Sequence, residues 1–373
     1  EQIDRAMQKI QATKAFETAT YSLLGKGEPY RLEFNCTKGP VHQFGIGFRI
    51  DTQEWASVLL NLGLNTNRLK GSKLDIEAKL GQNQHANIRY ALDIPAVPTV
   101  NAELNFFNYS GDAFTSSEDL ESNIMRSDMY NMKYNGYKGS VYLSNIKWTT
   151  MDVKGGVAYR HLHTKSILSS FNTGSNGPDL NDYLSGNFFS AFADAELYTF
   201  DNKYFPSKGT DLRLNAEWIF EKNIPITRLD FKKVFRLGNP VAIITDIHLR
   251  NVLRQGTSIC LSNVIGGSVA GRYIEQQIPF IGFNKPYWAE DHVAVANIDL
   301  RVCPKKNLYI SALAGCIHEA PTFEKELTDF SHLDFGFGGQ VGYNTIFGPI
   351  KANICWSSLT GKVDYYISAG FDF

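Results

Sequence analysis

The final eleven residues alternate. Val363, Tyr365, Ile367, Ala369, Phe371 and Phe373 form one row; Asp364, Tyr366, Ser368, Gly370 and Asp372 form the other. Period-two alternation marks a strand with one apolar and one polar face. Two environments satisfy such a strand. It can finish an ordinary soluble sheet, or it can stand in a membrane barrel. In the barrel, lipid covers one face, a polar lumen the other, and a neighbour pairs with each edge.

The pattern recurs from residue 41 onward. In 41–51, Phe44, Ile46, Phe48 and Ile50 oppose Gly45, Gly47 and Arg49. In 73–82, Leu74, Ile76, Ala78 and Leu80 oppose Asp75, Glu77 and Lys79. A charged row opposite an apolar row suits water inside and lipid outside. Sixteen such stretches are expected, at 41–51, 54–66, 73–82, 84–94, 98–109, 134–147, 150–165, 186–201, 209–222, 227–236, 239–255, 291–303, 306–318, 331–344, 349–358 and 363–373. Alternation is blurred over 110–150. Connections near 52–53, 83, 148–149, 223–226, 304–305 and 345–348 are short; those near 110–133, 166–185, 256–290 and 319–330 are long. Short turns at one end, long loops at the other and an even strand number describe an outer-membrane barrel.

Composition fits. The 373 residues carry 37 basic and 38 acidic side chains, so charge balance implies no nucleic-acid partner. The chain is mildly polar, with a mean hydropathy of −0.23. No run approaches the ~18 apolar residues of a membrane helix. No leader is visible, so either one was removed or the chain is a C-terminal piece. Five cysteines (Cys36, Cys260, Cys303, Cys316 and Cys355) form no CxxC pair, and an odd number excludes a complete disulfide framework. No metal or cofactor is implied. His161 and His163 share a strand face, which is too few ligands for a metal site.

Residues 1–40 read differently. Ile3, Met7 and Ile10, followed by Ala15, Phe16 and Ala19, predict a helix ended by Gly25 and Gly27. A strand follows over 29–38. A helix and a strand of this size make no core alone and look like the end of a small α/β module.

The loop 256–290 carries an apolar patch, Ile278-Pro279-Phe280-Ile281, and five glycines, three of them being Gly266, Gly267 and Gly271. Its length marks it as functional, and its apolar content predicts that it folds back into the barrel. Arg272 would then need a carboxylate, unless it is simply a solvated loop arginine. On the next strand Val295, Asn297, Asp299 and Arg301 share a face, so Asp299 is expected in the lumen.

These stretches resemble the BamA/two-partner-secretion superfamily, also called the bacterial surface antigen family. Asp201-Asn202-Lys203-Tyr204-Phe205-Pro206-Ser207-Lys208-Gly209 is similar to the family's Asp…Phe-Pro-x-Arg/Lys-Gly turn. Gly338 to Pro349 is similar to its closing hairpin, and Phe371 and Phe373 to the signal that the barrel-assembly machinery reads. The family's loop motif is Val/Ile-Arg-Gly-Tyr/Phe; here Gly271-Arg272-Tyr273 departs in order. The resemblance implies a 16-stranded antiparallel transmembrane β-barrel over 41–373, preceded over 1–40 by part of a periplasmic POTRA module. It also implies that Arg272 pairs with Asp299 on the inner wall.

Within the superfamily, Gly266 to Tyr273 with Gln277-Ile278-Pro279-Phe280 looks most like patatin-like phospholipase autotransporters, the type Vd group. That likeness implies an anchor that exports an N-terminal lipase. No lipase elbow lies in this chain: Gly266-Gly267-Ser268-Val269-Ala270 lacks the last glycine, so Ser268 reads as structural and the chain as no enzyme. The alternative is an assembly or insertion factor that folds client polypeptides through a weak seam between the first and last barrel strands. Outer-membrane lipid is the surrounding partner in either case.

Overall fold

A computed structural model of the chain describes residues 16–25, 31–38, 42–66, 72–93, 97–119, 124–148, 150–166, 185–238, 240–254, 258, 260–267, 274–328 and 333–372. Two strands, β1 (Phe16–Leu24) and β2 (Arg31–Lys38), pair as an antiparallel two-stranded sheet. The helix expected to run through Phe16 and Ala19 is therefore corrected. Phe16–Leu24 holds Thr18, Thr20 and Tyr21, residue types that favour extended backbone, and its ladder with β2 overrides the helical spacing. Residues 1–15 lie outside the described residues.

Sixteen strands then close a barrel: β3 (His42–Asp51), β4 (Trp55–Thr66), β5 (Ser72–Leu80), β6 (Gln84–Leu92), β7 (Thr99–Asp119), β8 (Ile124–Trp148), β9 (Met151–Ser166), β10 (Ser185–Tyr198), β11 (Gly209–Ile219), β12 (Ile224–Arg236) and β13 (Val241–Val252), and, after the long loop, β17 (His292–Lys305), β18 (Leu308–Ala320), β19 (Leu333–Thr345), β20 (Gly348–Ser357) and β21 (Val363–Gly370). Every wall pairing is antiparallel with its chain neighbour, and β13 meets β17 across the loop. Three two-residue strands, β14 (Val264–Ile265), β15 (Gln277–Ile278) and β16 (Tyr287–Trp288), lie inside that loop. One short helix, α1 (Phe323–Thr328), follows β18.

The alternation resolves as lipid outside and polar inside. On β3, Phe44, Phe48 and Ile50 are 60% exposed or more, while Arg49 is 2% exposed. On β21, Val363, Tyr365 and Ile367 face out and Tyr366 and Ser368 are buried. Lys79, Arg160, His248, Arg250 and Arg301 are likewise buried in the interior.

Two expectations need correcting. The connection 110–133 is mostly strand: β7 and β8 pair without a break from Thr99↔Ser144 to Asp119↔Ile124. The two ends of the barrel also do not divide cleanly into short and long. The end that carries the loops 167–184, 253–291 and 321–332 also carries the tight turns 52–54, 81–83 and 220–223. The opposite end carries a turn of some length, 199–208.

Candidate functional site

Three features converge in the lumen: the loop between β13 and β17, the turn between β10 and β11, and the seam between β3 and β21.

The loop crosses the barrel. Val264, Ile274 and Trp288 pack with the inward-facing Tyr134, Leu162, Phe188 and Ile226 of the wall. Ile265, Ile278, Phe280 and Phe283 pack against Val293, Val295 and Ile317 on the other side. Burying these apolar groups fixes the loop, and backbone bonds shape it. β14 pairs parallel with β15 and antiparallel with β16. β16 in turn pairs with β7 at Phe114 and Thr115. That edge is open because β6 leaves β7 after Asn108. The loop thus covers an unpaired strand edge, which would otherwise expose its N–H and C=O groups.

Polar wall residues hold the loop's main chain. Arg228 donates to the carbonyls of Glu275 at 3.0 Å and Gln277 at 3.1 Å. Arg250 donates to the Leu261 carbonyl at 3.1 Å and to Asn263 Oδ1 at 2.6 Å. Asn297 on β17 accepts from the Ile281 amide at 3.2 Å and donates to the Pro279 carbonyl at 3.0 Å. Asp364 on β21 accepts from the Asn284 amide at 2.8 Å. Lys285 pairs with Asp112 at 3.1 Å. Glu275 is ion-paired to Lys138 and lies 3.9 Å from Arg160. Partial desolvation pushes the Glu275 carboxyl up, but these two cations outweigh it and hold it below the usual range. A cavity of about 300 Å³ remains between loop and wall, lined by Lys138, Arg160, Arg228, Glu103, Glu217 and Glu275 among others.

The turn 199–208 enters from the opposite end. Asp201 Oδ1 accepts from the amides of Ser207 at 2.8 Å and Lys208 at 3.2 Å, and Oδ2 accepts from the Ser207 hydroxyl at 2.5 Å. Desolvation raises the Asp201 carboxyl, but these donors outweigh it, so it sits below its ordinary range. Gly209 has φ +117°, and a β-carbon there would fall 2.5 Å from the Thr199 carbonyl. The turn carries Phe205 into the lumen, where it is 3% exposed and stacks on Tyr309 at 4.1 Å. Arg301 donates to the Pro206 carbonyl at 3.3 Å.

The seam is short. β3 and β21 share three register pairs, Ser368↔Asp51, Ala369↔Ile50 and Gly370↔Arg49. β3 and β4 share ten, and β20 and β21 seven. Two further backbone bonds flank it, Thr52 N to Ile367 O at 3.0 Å and Phe371 N to Phe48 O at 3.1 Å, and the Ile367 amide also donates to the Thr52 hydroxyl at 3.3 Å. Among the described residues, nothing pairs with the outer edge of β3 from His42 to Gly47.

Of the residues expected at the site, Gly271, Arg272, Tyr273 and Phe373 lie outside the described residues, as does Ser268. Asp299 sits on the inner wall, where Oδ2 accepts from Arg301 at 2.7 Å. Its Oδ1 is buried and has no hydrogen-bond partner among the described residues. Asp201, Phe205, Pro206 and Gly209 come together in one turn, and Phe371 lies at the seam. Sequence reading did not single out Arg228, Arg250, Asn297, Asp364 or Arg49 as site residues. The only signal for them is membership of a polar row, which many residues share. Among the described residues, no group of three His, Cys, Asp or Glu side chains could hold a metal.

Similar folds are known. A BamA from Haemophilus ducreyi, solved without POTRA domains 1–3, superposes with a TM-score of 0.68 over 100% of this chain and 78% of its own, at 13% identity. CdiB from Acinetobacter baumannii gives 0.60 over 99% and 68%, at 10% identity. CdiB from Escherichia coli gives 0.54 over 99% and 70%, at 9% identity. At such identities the likeness is one of fold. No curated protein matches the chain. A profile of the OMP85 superfamily matches residues 31–373, which span the whole barrel. The chain is an outer-membrane barrel and belongs to the OMP85 superfamily.

Proposed function

We propose that this barrel is an assembly or insertion factor for outer-membrane polypeptides and that the seam is its working part. The observation that carries the reading is the three-pair ladder between β3 and β21 beside a stretch of β3 edge that no described residue pairs with. An extended client segment can add to such an edge by main-chain hydrogen bonding, while alternate side chains meet lipid and lumen. The described part of the loop crosses the lumen, which favours the wall over the pore as the route for a client.

The test is a seam locked by oxidation. Ile50 and Ala369 face each other in register. An Ile50→Cys, Ala369→Cys barrel with its native cysteines replaced, placed in proteoliposomes, should fold a small barrel client only when reduced. Equal folding in the oxidised and reduced states sinks the reading.

A second reading is an anchor that exports an N-terminal patatin-like phospholipase of the type Vd kind. Two observations favour it: the loop sequence from Gly266 to Gly282, and the charge-lined cavity beside the loop. Peptide mapping of the native membrane protein decides: a Gly-x-Ser-x-Gly peptide upstream of Glu1 supports export, and several POTRA modules with no enzyme support assembly. In either reading residues 1–40 are the end of a periplasmic POTRA module. Phe371 and Phe373 address the chain to the barrel-assembly machinery.

The Arg272–Asp299 pair belongs to this proposal. The buried Oδ1 of Asp299 supports it: no described residue bonds to it, and such an oxygen is costly when left alone. Reversing both charges should restore the folding lost with either reversal alone, and a double variant no better than the singles would break the pair.

A further inference from the structure

Arg49 is the most enclosed of the cations described at the seam, at 2% side-chain exposure. Its Nε donates to Asp51 on its own strand at 2.9 Å. One terminal nitrogen donates to the Tyr366 hydroxyl on β21, and the other to the Asp372 carboxylate just beyond that strand. The second Asp372 oxygen accepts from Lys351 on β20 at 3.2 Å. Lys203, from the turn 199–208, donates to the Asp372 main-chain carbonyl at 3.4 Å. Three cations from three separate parts of the chain thus meet at one residue.

Among the described residues, cations outnumber carboxylates here even while Asp372 is in place. Arg49, Lys351 and Lys203 face two carboxylates, Asp51 and Asp372. Lifting the end of β21 from β3 removes one of them. Asp51 alone would then face Arg49, and Lys351, 18% exposed, would lose its carboxylate. Enclosed cations without a partner are strongly unfavourable. The vacated place therefore calls for another carboxylate.

The backbone offers a means of delivering one. A strand that takes the place of β21 and pairs along β3 turns one row outward beside Phe44, Ile46 and Phe48. Its other row enters the lumen, with one position beside Arg49. We propose that Arg49 and Lys351 form a carboxylate subsite for an incoming client strand. The subsite selects strands with Asp or Glu on the lumenal row next to an outward aromatic residue, in exchange for Asp372. This deepens the seam reading and rests on it. The chain's own Phe371-Asp372 has that pattern, and Asp372 occupies the subsite in the closed barrel.

The probe is a fluorescent peptide of residues 363–373, with its Asp372→Asn counterpart. Binding is followed by anisotropy on the full chain in lipid nanodiscs. The native peptide should bind about tenfold more tightly, the scale of one charge-assisted hydrogen bond. The preference should disappear in Lys351→Met and in Arg49→Gln barrels that keep the heat-dependent gel mobility of a folded barrel. Equal binding of the two peptides by the unaltered barrel overturns the subsite and leaves the seam reading standing. An undiminished preference in Lys351→Met overturns it too, and settles the matter even where Arg49→Gln fails to fold. Binding of neither peptide overturns both the subsite and the seam reading.

Discussion

The Ile281 carbonyl lies where a side chain on Gly336 would begin: a β-carbon built on Gly336 of β19 falls 1.4 Å from that oxygen. The obstacle is backbone on both sides, so no rotamer relieves it. Gly336→Ala should therefore push the loop off the β19 wall while the barrel still closes. The expected readout is a higher and noisier conductance in planar bilayers, with normal heat-dependent gel mobility. Unchanged conductance would show that the loop has another resting place.

Asn297 holds the same stretch of loop from β17, with one bond to Ile281 and one to Pro279. Its side chain is buried, at 6% exposure. Asn297→Leu leaves an amide and a carbonyl unpaired, at roughly 1–3 kcal/mol each. Hydrogen exchange over 274–288 should speed up by at least about tenfold, since 1.4 kcal/mol is a factor of ten. Exchange over β4 and β5 should not change. Uniform acceleration of the whole chain would mean that Asn297 supports the wall and not the loop.

The wall was legible because lipid and lumen impose opposite chemistry on alternate residues. All sixteen strands follow from that one pattern, as the rows of β3 and β21 illustrate. It failed where the lumen itself is apolar. Tyr109, Ala113, Met132 and Tyr134 point inward onto the loop cluster, so the inner row of β7 and β8 is greasy and the alternation disappears. The continuous hairpin was therefore read as a long connection. The helix drawn through Phe16 failed for another reason: the strand Phe16–Leu24 is set by its ladder with β2, a contact that spacing along one segment does not contain. At the site, the turn motif was legible because Asp201 and Gly209 act within a few residues of each other. Arg228, Asn297 and Asp364 were not, because each acts on a loop distant in sequence.

Glu275 should help keep the loop docked across the neutral and mildly acidic range. Its side chain is half-exposed to the lumen, paired with Lys138 and approached by Arg160. These cations outweigh its partial desolvation and lower its pKa. A lowered carboxyl contributes stability that is fully present above its unfolded value, about 4.3. That stability is lost only as the pH falls through the lower folded value. Conductance should therefore stay flat from about pH 8 to about pH 5. Glu275→Gln should raise conductance across that whole interval. A wild-type opening between about pH 6 and 5 would assign the docking charge to another group.

Gly209 and Asp201 should report on the seam from across the barrel. Gly209→Ala puts a β-carbon against the Thr199 carbonyl at a positive φ, a strain of roughly 1–3 kcal/mol. Asp201→Ala removes the three bonds that wrap the turn. Either change loosens Phe205, whose ring lies 5.7 Å from the Lys351 ammonium, and Lys203, which reaches the Asp372 carbonyl. Both lysines touch the residue that bridges to Arg49, so a loosened turn should weaken closure. The measurement is disulfide yield between Ile50→Cys and Ala369→Cys at fixed oxidant and time, with the native cysteines replaced. The yield should fall several-fold in each turn variant, while melting of the folded barrel drops by only a few degrees. An unchanged yield, with faster hydrogen exchange confined to 202–208, would show that the turn moves without the seam.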